Sequence, residues 1–243
     1  MIPKIIHYIW FGNSPKTKKI ENCIQSWKKY CPDYEIIEWT ENNFDINCNK
    51  FLKEAYDLGK FAFASDVARL FVLFEYGGIY VDADVELLKN LDDLLQNEAF
   101  VGFEIDEYVN SGQMMGSVKG KPLIKEHIEQ YSGISFSKCD DISKITCPHI
   151  LTNLLIQKGF EPNGKEQVIE GLHIYPQDYF NPFNNMTGRL TKTENSYSIH
   201  WSAHSWASQS LLRRKITRVF HRIFGTNCFE PLKRLLRKLE SGA

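Results

Sequence analysis

The sequence is short of the devices that usually announce a function. Its six cysteines (Cys23, Cys31, Cys48, Cys139, Cys147 and Cys228) form no CxxC pair and no close Cys/His grouping. That excludes an evident zinc module and predicts reduced, mostly packed thiols. Neither GxGxxG nor GxxxxGKS/T occurs, which disfavours a dinucleotide-binding dehydrogenase and a P-loop kinase, and no GxSxG elbow points to a serine hydrolase. No window holds the roughly 18 apolar residues of a membrane span. The opening MIPKIIHYIWFG lacks the basic n-region, long apolar stretch and cleavage site of a secreted precursor, so the cytoplasm is the expected compartment. Net charge is nearly absent as well: 29 basic and 30 acidic residues leave −1, and no nucleic-acid partner is expected from bulk charge.

What is present is an ordinary globular composition, 43% hydrophobic and 24% charged over 243 residues. One large domain with an appendage is the expectation at this length. The charge is unevenly placed. From Leu211 onward Arg213, Arg214, Lys215, Arg218, Arg222, Lys233, Arg234, Arg237 and Lys238 face only Glu230 and Glu240, so this stretch carries +7 and residues 1–210 carry −8. Its apolar residues fit two short amphipathic helices broken at Gly225-Thr226-Asn227. We divide the chain into a domain over 1–210 and a basic helical tail over 211–243, suited either to an anionic membrane surface or to packing on the domain.

Lys4–Phe11 reads as a buried strand, a helix follows to about Tyr30, and Tyr34–Trp39 is a second strand, the β-α-β opening of an α/β domain with a largely parallel sheet. Residues 60–76 predict a strongly apolar helix with Phe63, Val67, Leu70 and Phe74 in one stripe, stopped by Gly77-Gly78. Ile79-Tyr80-Val81 then runs as a strand into Asp82-Ala83-Asp84. Further strands are expected at Ala99–Glu104, Gln113–Val118 and Tyr197–Trp201, helices at Pro122–Tyr131 and Pro148–Lys158, and loops from Tyr175 to Thr193.

Two carboxylates two residues apart at a strand end can face one hard cation, Mg²⁺ or Mn²⁺, whose shell is completed by substrate phosphate. A solvated acidic turn is the plainer reading of an isolated DxD. Here the pair follows a buried strand and a helix on which Asp66 and Arg69 lie together, in a helix too apolar to sit on the surface.

IPKIIHYIWFG, ASDVARLFVLFEYGGIYVDADVELL and SIHWSAHSW, in that order, resemble the landmark segments of glycosyltransferase family 32, the DXD-containing sugar transferases. The resemblance spans residues 2 to about 206. It implies an α/β, GT-A type Rossmann-like nucleotide-sugar-binding domain with a mixed central sheet. It also implies a metal-dependent, retaining transfer of a hexose from a nucleoside diphosphate sugar. Trp10 matches the tryptophan that stacks on the base; Ser65, Asp66 and Arg69 match the donor's ribose and sugar contacts; Tyr80 matches a tyrosine near the diphosphate. Asp82, with Ala83, matches the shared donor and metal position, and Asp84 the direct metal ligand. His200 fits a third ligand with His204 as competitor, and Ser205-Trp206 fits the pair that touches the diphosphate. Asp82, Asp84 and Arg69 are the residues expected to carry catalysis.

Asn110, Ser111 and Gln113 are candidates for acceptor or sugar contact, while His7, His127, His149, His173 and His221 are assigned structural or surface roles. UDP-hexose is the first donor expectation and GDP-mannose the second. The expected acceptor is a glycan or lipid-linked oligosaccharide of capsule or surface polysaccharide synthesis, met at the inner face of the membrane. A haloacid-dehalogenase-like phosphohydrolase also places its nucleophile in a DxD after an apolar strand, but it wants Thr or Val where Glu86 stands. A non-enzymatic glycan-binding protein is the third reading.

Overall fold

The computed structural model describes residues 1–105, 107–139, 141–202, 217–222, 225 and 228. A seven-stranded sheet in the order β2-β1-β3-β6-β5-β8-β7 forms its centre. The strands are β1 (Ile5–Ile9), β2 (Glu35–Trp39), β3 (Gly78–Val81), β5 (Ala99–Ile105), β6 (Tyr108–Ser117), β7 (Gln167–Ile169) and β8 (Leu172–Tyr175). β1 pairs in parallel with β2 and β3, and β5 with β8, while β3–β6, β5–β6 and β7–β8 are antiparallel. The sheet is therefore mixed, as the resemblance implies and not as the β-α-β opening alone suggests. The hairpin of β5 and β6 reverses the chain at the centre.

Helices cover both faces. On one, α2 (Lys50–Asp57), α3 (Phe61–Tyr76), α4 (Pro122–Ser132) and α5 (Cys147–Ile156) bury Phe51, Val67, Leu70, Leu123 and Leu151 against Val101 and Met115. On the other, α1 (Lys18–Tyr30) and α6 (Gln177–Phe180) bury Trp27 and Phe180 against Val81 and Phe100. α1 starts where the Thr17 hydroxyl accepts the Ile20 N–H, an N-cap that satisfies an orphan donor. α3 is buried almost all round: Ala64, Val67, Ala68, Leu70, Val72 and Leu73 are inaccessible, whereas Phe63 and Phe74 of the expected stripe are only half-buried. α2, capped by Asn49, has no counterpart among the expected elements, because its eight residues hold too few turns to show a helical period.

A small ribbon completes the functional edge. β4 (Val85–Leu87) pairs antiparallel with β11 (Ser198–His200), setting His200 opposite Val85. α1 anchors it, since the Trp27 indole donates to the Val85 carbonyl at 2.7 Å and Ser26 Oγ accepts from Leu87 N at 2.9 Å. Within the loop-rich 175–193 stretch lie α6 and a hairpin of β9 (Phe183–Asn184) and β10 (Arg189–Leu190). Of the expected tail, only residues 217–222, which are helical, and 225 and 228 are described. Among the described residues no helix is long and apolar enough to cross a membrane.

Two histidines are locked neutral in the core. Trp39 Nε1 donates to His7 Nδ1 at 3.1 Å, so His7 Nε2 donates to the Gly77 carbonyl at 2.8 Å, and burial lowers the pKa to about 4. His127 is driven to about 3 by burial, with the Arg69 charge adding to it. Both groups are neutral when folded and protonate near 6.5 when unfolded, so their contribution is complete above that pH and is lost progressively as pH falls from there to the folded values. His127→Leu should consequently lose ~2 kcal/mol less stability than the parent between pH 7 and pH 5, read from urea denaturation midpoints.

Candidate active site

β1, β2, β3, β5 and β8 run in one direction, so their C-terminal ends share one edge of the sheet, the edge at which open α/β folds bind ligands. Trp10 follows β1, Asp82 and Asp84 follow β3, Glu104 closes β5, and Asn110 lies at the start of the returning β6. The chain order scatters these residues; the strand order gathers them.

Arg69 is the centre of the arrangement, with only 2% of its side chain exposed. Its Nη2 lies 2.9 Å from Asp66 Oδ1, 3.4 Å from Asp82 Oδ1 and 3.1 Å from Ser65 Oγ, and Nε donates to the Ser65 carbonyl at 3.0 Å. The guanidinium lies 4.5 Å from the centre of the Tyr80 ring, and the Tyr80 hydroxyl donates to Asp82 Oδ1 at 2.6 Å. The i, i+3 pair predicted from the sequence is thus buried and bridged to the DXD, where a solvated surface pair would be worth only a few tenths of a kcal/mol. Burial raises the Asp66 carboxyl to about 6 against the opposing pull of Arg69, with the neighbouring Asp82 charge adding to the rise. The Cys147 main chain at the start of α5 pulls the other way and favours the Asp66 carboxylate, as a helix N-terminus does for an anion.

Asp82, Asp84 and His200 each offer one ligand atom within 4.8 Å of the others. His200 Nε2 stands 3.4 Å from Asp84 Oδ1 and 3.9 Å from Asp82 Oδ2. Burial alone would lower the His200 pKa, but the carboxylates of Asp84, Asp82 and Glu104 outweigh it and lift the value to about 9. Two carboxylate oxygens and an imidazole nitrogen fit Mn²⁺ or Mg²⁺. The charge balance agrees: with His200 neutral, as a metal ligand must be, Asp66, Asp82, Asp84 and Glu104 face only Arg69, and a divalent cation would offset much of the excess.

Trp10 is half-buried and donates its indole N–H to the Ser14 carbonyl at 2.7 Å. It lines a pocket of about 250 Å³ with Lys16, Glu38, Thr40 and Glu41, separate from the DXD group and on the flank of β1 and β2. Gln113 is fully inaccessible and donates its amide to the Gly102 and Phe103 carbonyls, bracing the irregularity between Val101 and Gly102; Ser111 is equally buried. Of the three acceptor candidates, Asn110 is the one whose side chain acts on the site, since it favours the ionised Glu104 carboxylate. His204, Ser205 and Trp206 lie outside the described residues.

Glu104 is the residue that sequence reasoning missed. Its carboxyl is raised by burial despite His200 and the Asn110 amide. The available signal was topological: an acid ending any strand parallel to β3 faces the same crevice. Cys147 was missed for a similar reason, because it is α5 docking against β6 that brings its thiol 3.3 Å from Asn110 Oδ1.

Residues 17–101 match the family described as "Glycosyltransferase sugar-binding region containing DXD motif". An inositol phosphoceramide mannosyltransferase of Schizosaccharomyces pombe is 33% identical over 144 residues, covering 56% of this chain and 39% of that protein. The chain thus spans about two fifths of the length of that relative. An uncharacterized glycosyltransferase of Acanthamoeba polyphaga mimivirus is 26% identical over 224 residues, 85% of this chain and 84% of its own. Among solved structures, the PaToxG glycosyltransferase superposes with a TM-score of 0.54 at 21% identity, over 64% of this chain and 68% of its own, a likeness of fold.

The packing around Arg69 gives a direct test. A Cβ at Gly112 would stand 2.5 Å from Arg69 Nη1, 2.8 Å from Asn110 Oδ1 and 3.2 Å from Cys147 Sγ. Gly112→Ala, a change outside both the SDxxR and DXD segments, should displace the guanidinium. We expect it to cost about 1–3 kcal/mol of stability, measured by denaturation, and to weaken nucleotide-sugar binding, measured by calorimetry.

Proposed function

We propose, for a chain that carries the DXD-containing sugar-binding region of the glycosyltransferases, that it transfers a hexose with retention from a nucleoside diphosphate sugar to a glycan or lipid-linked acceptor. The observation that carries this reading is the group of Asp82, Asp84 and His200 set directly over the buried Asp66–Arg69 pair. Carboxylates alone would repel a diphosphate. With a divalent cation and Arg69 among them, the same place favours it.

Each residue then has a definable task. Asp82, Asp84 and His200 would hold Mn²⁺ or Mg²⁺, which when bound supplies charge to the leaving diphosphate. Arg69 keeps a fixed positive charge beneath the donor, and Asp66 and Ser65 orient that fork, so the charge is in place before reaction begins. Tyr80 fixes the rotamer of Asp82 through its hydroxyl. Trp10 offers an aromatic face to the base at the far end of the crevice. Glu104 and Asn110, across the DXD from Trp10 in strand order, border the space left for the sugar and the acceptor.

The mannosyl relatives favour mannose as the transferred hexose and so favour GDP-mannose over UDP-hexose, reversing the order expected from sequence. The basic stretch 211–243 supports a peripheral association with the inner face of a membrane, where a lipid-linked acceptor of surface polysaccharide synthesis would be met.

The test is a panel of GDP-mannose, UDP-glucose, UDP-galactose and UDP-N-acetylglucosamine with Mn²⁺, following nucleotide release with and without EDTA. One donor should turn over and EDTA should stop it, while Asp84→Ala should abolish Mn²⁺-dependent nucleotide binding and leave the circular dichroism spectrum unchanged. Cleavage of a generic phosphate ester with no sugar nucleotide consumed would replace this reading by a phosphohydrolase.

A further inference from the structure

One surface feature lies against the site and plays no part in the chemistry above. The β9–β10 hairpin pairs Phe183 with Leu190 and Asn184 with Arg189. The helical residues 217–222 close over its turn through two arginines one turn apart. Arg218 donates from Nε to the Asn185 carbonyl at 3.2 Å and from Nη2 to Asn185 Oδ1 at 3.1 Å. Arg222 donates from Nε to the Thr187 carbonyl at 2.5 Å and from Nη2 to the Gly188 carbonyl at 3.2 Å. Gly188 has φ +66°, and a Cβ there would stand 3.0 Å from Arg218 Cδ, so the turn is shaped to the arginine. Hairpin and helix are thereby one unit.

That unit is unusual in what it shows to solvent. Ten large apolar side chains are exposed among the described residues, and four of them, Met186, Leu190, Val219 and Phe220, belong to these fourteen residues. Single exposed hydrophobics need no explanation, but a concentration of this kind marks a contact surface. The unit's own charge has one sign. Residues 183–192 and 217–222 contain Arg189, Lys192, Arg218 and Arg222 and no acid, and Arg189 and Lys192 are exposed.

The unit also adjoins the reaction centre. Phe183 packs on Trp201 with ring centroids 5.3 Å apart, and the Arg218 guanidinium lies 5.6 Å from the Phe183 ring. Trp201, next in sequence to His200, donates its main-chain N–H to the Asp84 carbonyl at 3.2 Å and its indole to Glu86 at 2.9 Å. A surface that seated this hairpin would be held within a few side chains of Asp84 and His200.

We propose that the β9–β10 hairpin and residues 217–222 form one membrane-facing patch, which lays the mouth of the site on an anionic bilayer. Exposed apolar side chains together with cations are what an interfacial element needs: the former enter the headgroup boundary and the latter pair with lipid phosphate and carboxylate. A protein partner would be selected by shape, and a unit with cations and no acid of its own favours the anionic lipid. The proposal rests on the transferase reading with a lipid-linked acceptor, and it moves the membrane contact from the tail alone onto the body of the domain. The acceptor headgroup then arrives from the side on which Asp84 and His200 stand.

The full chain should be sedimented with phosphatidylcholine vesicles with and without phosphatidylserine, with Mn²⁺-dependent binding of GDP and UDP measured on the same preparations. Met186→Glu combined with Leu190→Glu should reduce partitioning onto the anionic vesicles by about tenfold while nucleotide binding stays intact. Arg189→Ala with Lys192→Ala, which spares the apolar residues, should reduce the preference for phosphatidylserine. Unchanged partitioning of both variants, or a parent chain indifferent to phosphatidylserine, overturns the proposal. Hairpin-dependent vesicle binding by a chain that takes neither nucleotide would uphold the surface and remove the transferase reading.

Discussion

A guanidinium shut inside an apolar fold is a costly object, and the architecture of this protein follows from keeping Arg69 there. Removing a charge from water costs several kcal/mol unless partners compensate. Asp66, Asp82, Ser65 and the face of Tyr80 supply them from one helix and one strand. Each partner is then constrained in its turn. Asp66 needs the N-terminus of α5, Asp82 needs the Tyr80 hydroxyl, and the close approach of β6 needs a glycine at 112. Hydrophobic residues of similar volume would stabilise such a core at least as well. The charge is retained because it stands beneath the strand end that carries the DXD.

The sheet converts this local cluster into a crevice. Five strands point their C-terminal ends at one edge, and along that edge the order runs from the Trp10 pocket through the DXD to Glu104. An extended ligand with a flat end and an anionic middle matches that sequence of surfaces. The proposed third metal ligand comes from elsewhere in the chain. His200 arrives 116 residues after Asp84 by the β4–β11 ribbon, whose register sets it opposite Val85 and whose hold on the domain is the indole of Trp27. A change at Trp27, remote from every charged group in the site, would therefore act on the spacing of Asp82, Asp84 and His200.

The parts of this site that could be read from sequence are those whose neighbours in space are also neighbours in the chain. The helix with Ser65, Asp66 and Arg69, the strand with Tyr80, and Asp82-Ala83-Asp84 all fall within twenty residues, so periodicity and turn signals place them together. His200, with His204 as competitor, is expected at the site from the family resemblance, and the β4–β11 pairing brings it beside Asp84. Glu104 and Cys147 could not be found in this way, since Glu104 comes to His200, and Cys147 to Arg69, only once β5 pairs with β6 and α5 docks on β6. Gln113 shows the converse error: its position in the chain suggested the site, but the strand's alternation directs its amide to main-chain carbonyls beneath the surface. The hairpin at 183–190 falls in the stretch from Tyr175 to Thr193 read as loop-rich, and its exposed Met186 and Leu190 gain meaning only from the two arginines that arrive about thirty residues later.

A net charge of −1 describes no part of this molecule well. The crevice gathers Asp66, Asp82, Asp84 and Glu104 at one end of the sheet, a concentration that calls for a cation. The unit beside it carries Arg189, Lys192, Arg218 and Arg222 with no acid. Opposite fields this close would attract each other, and the fold answers by spending Arg218 and Arg222 on the carbonyls of the hairpin turn instead of on the carboxylates of the crevice. Trp201 stands between the two, its main chain on Asp84 and its ring on Phe183. An aromatic ring there keeps the cationic unit adjacent to the acidic crevice without letting the two neutralise each other, so each field stays available to its own partner.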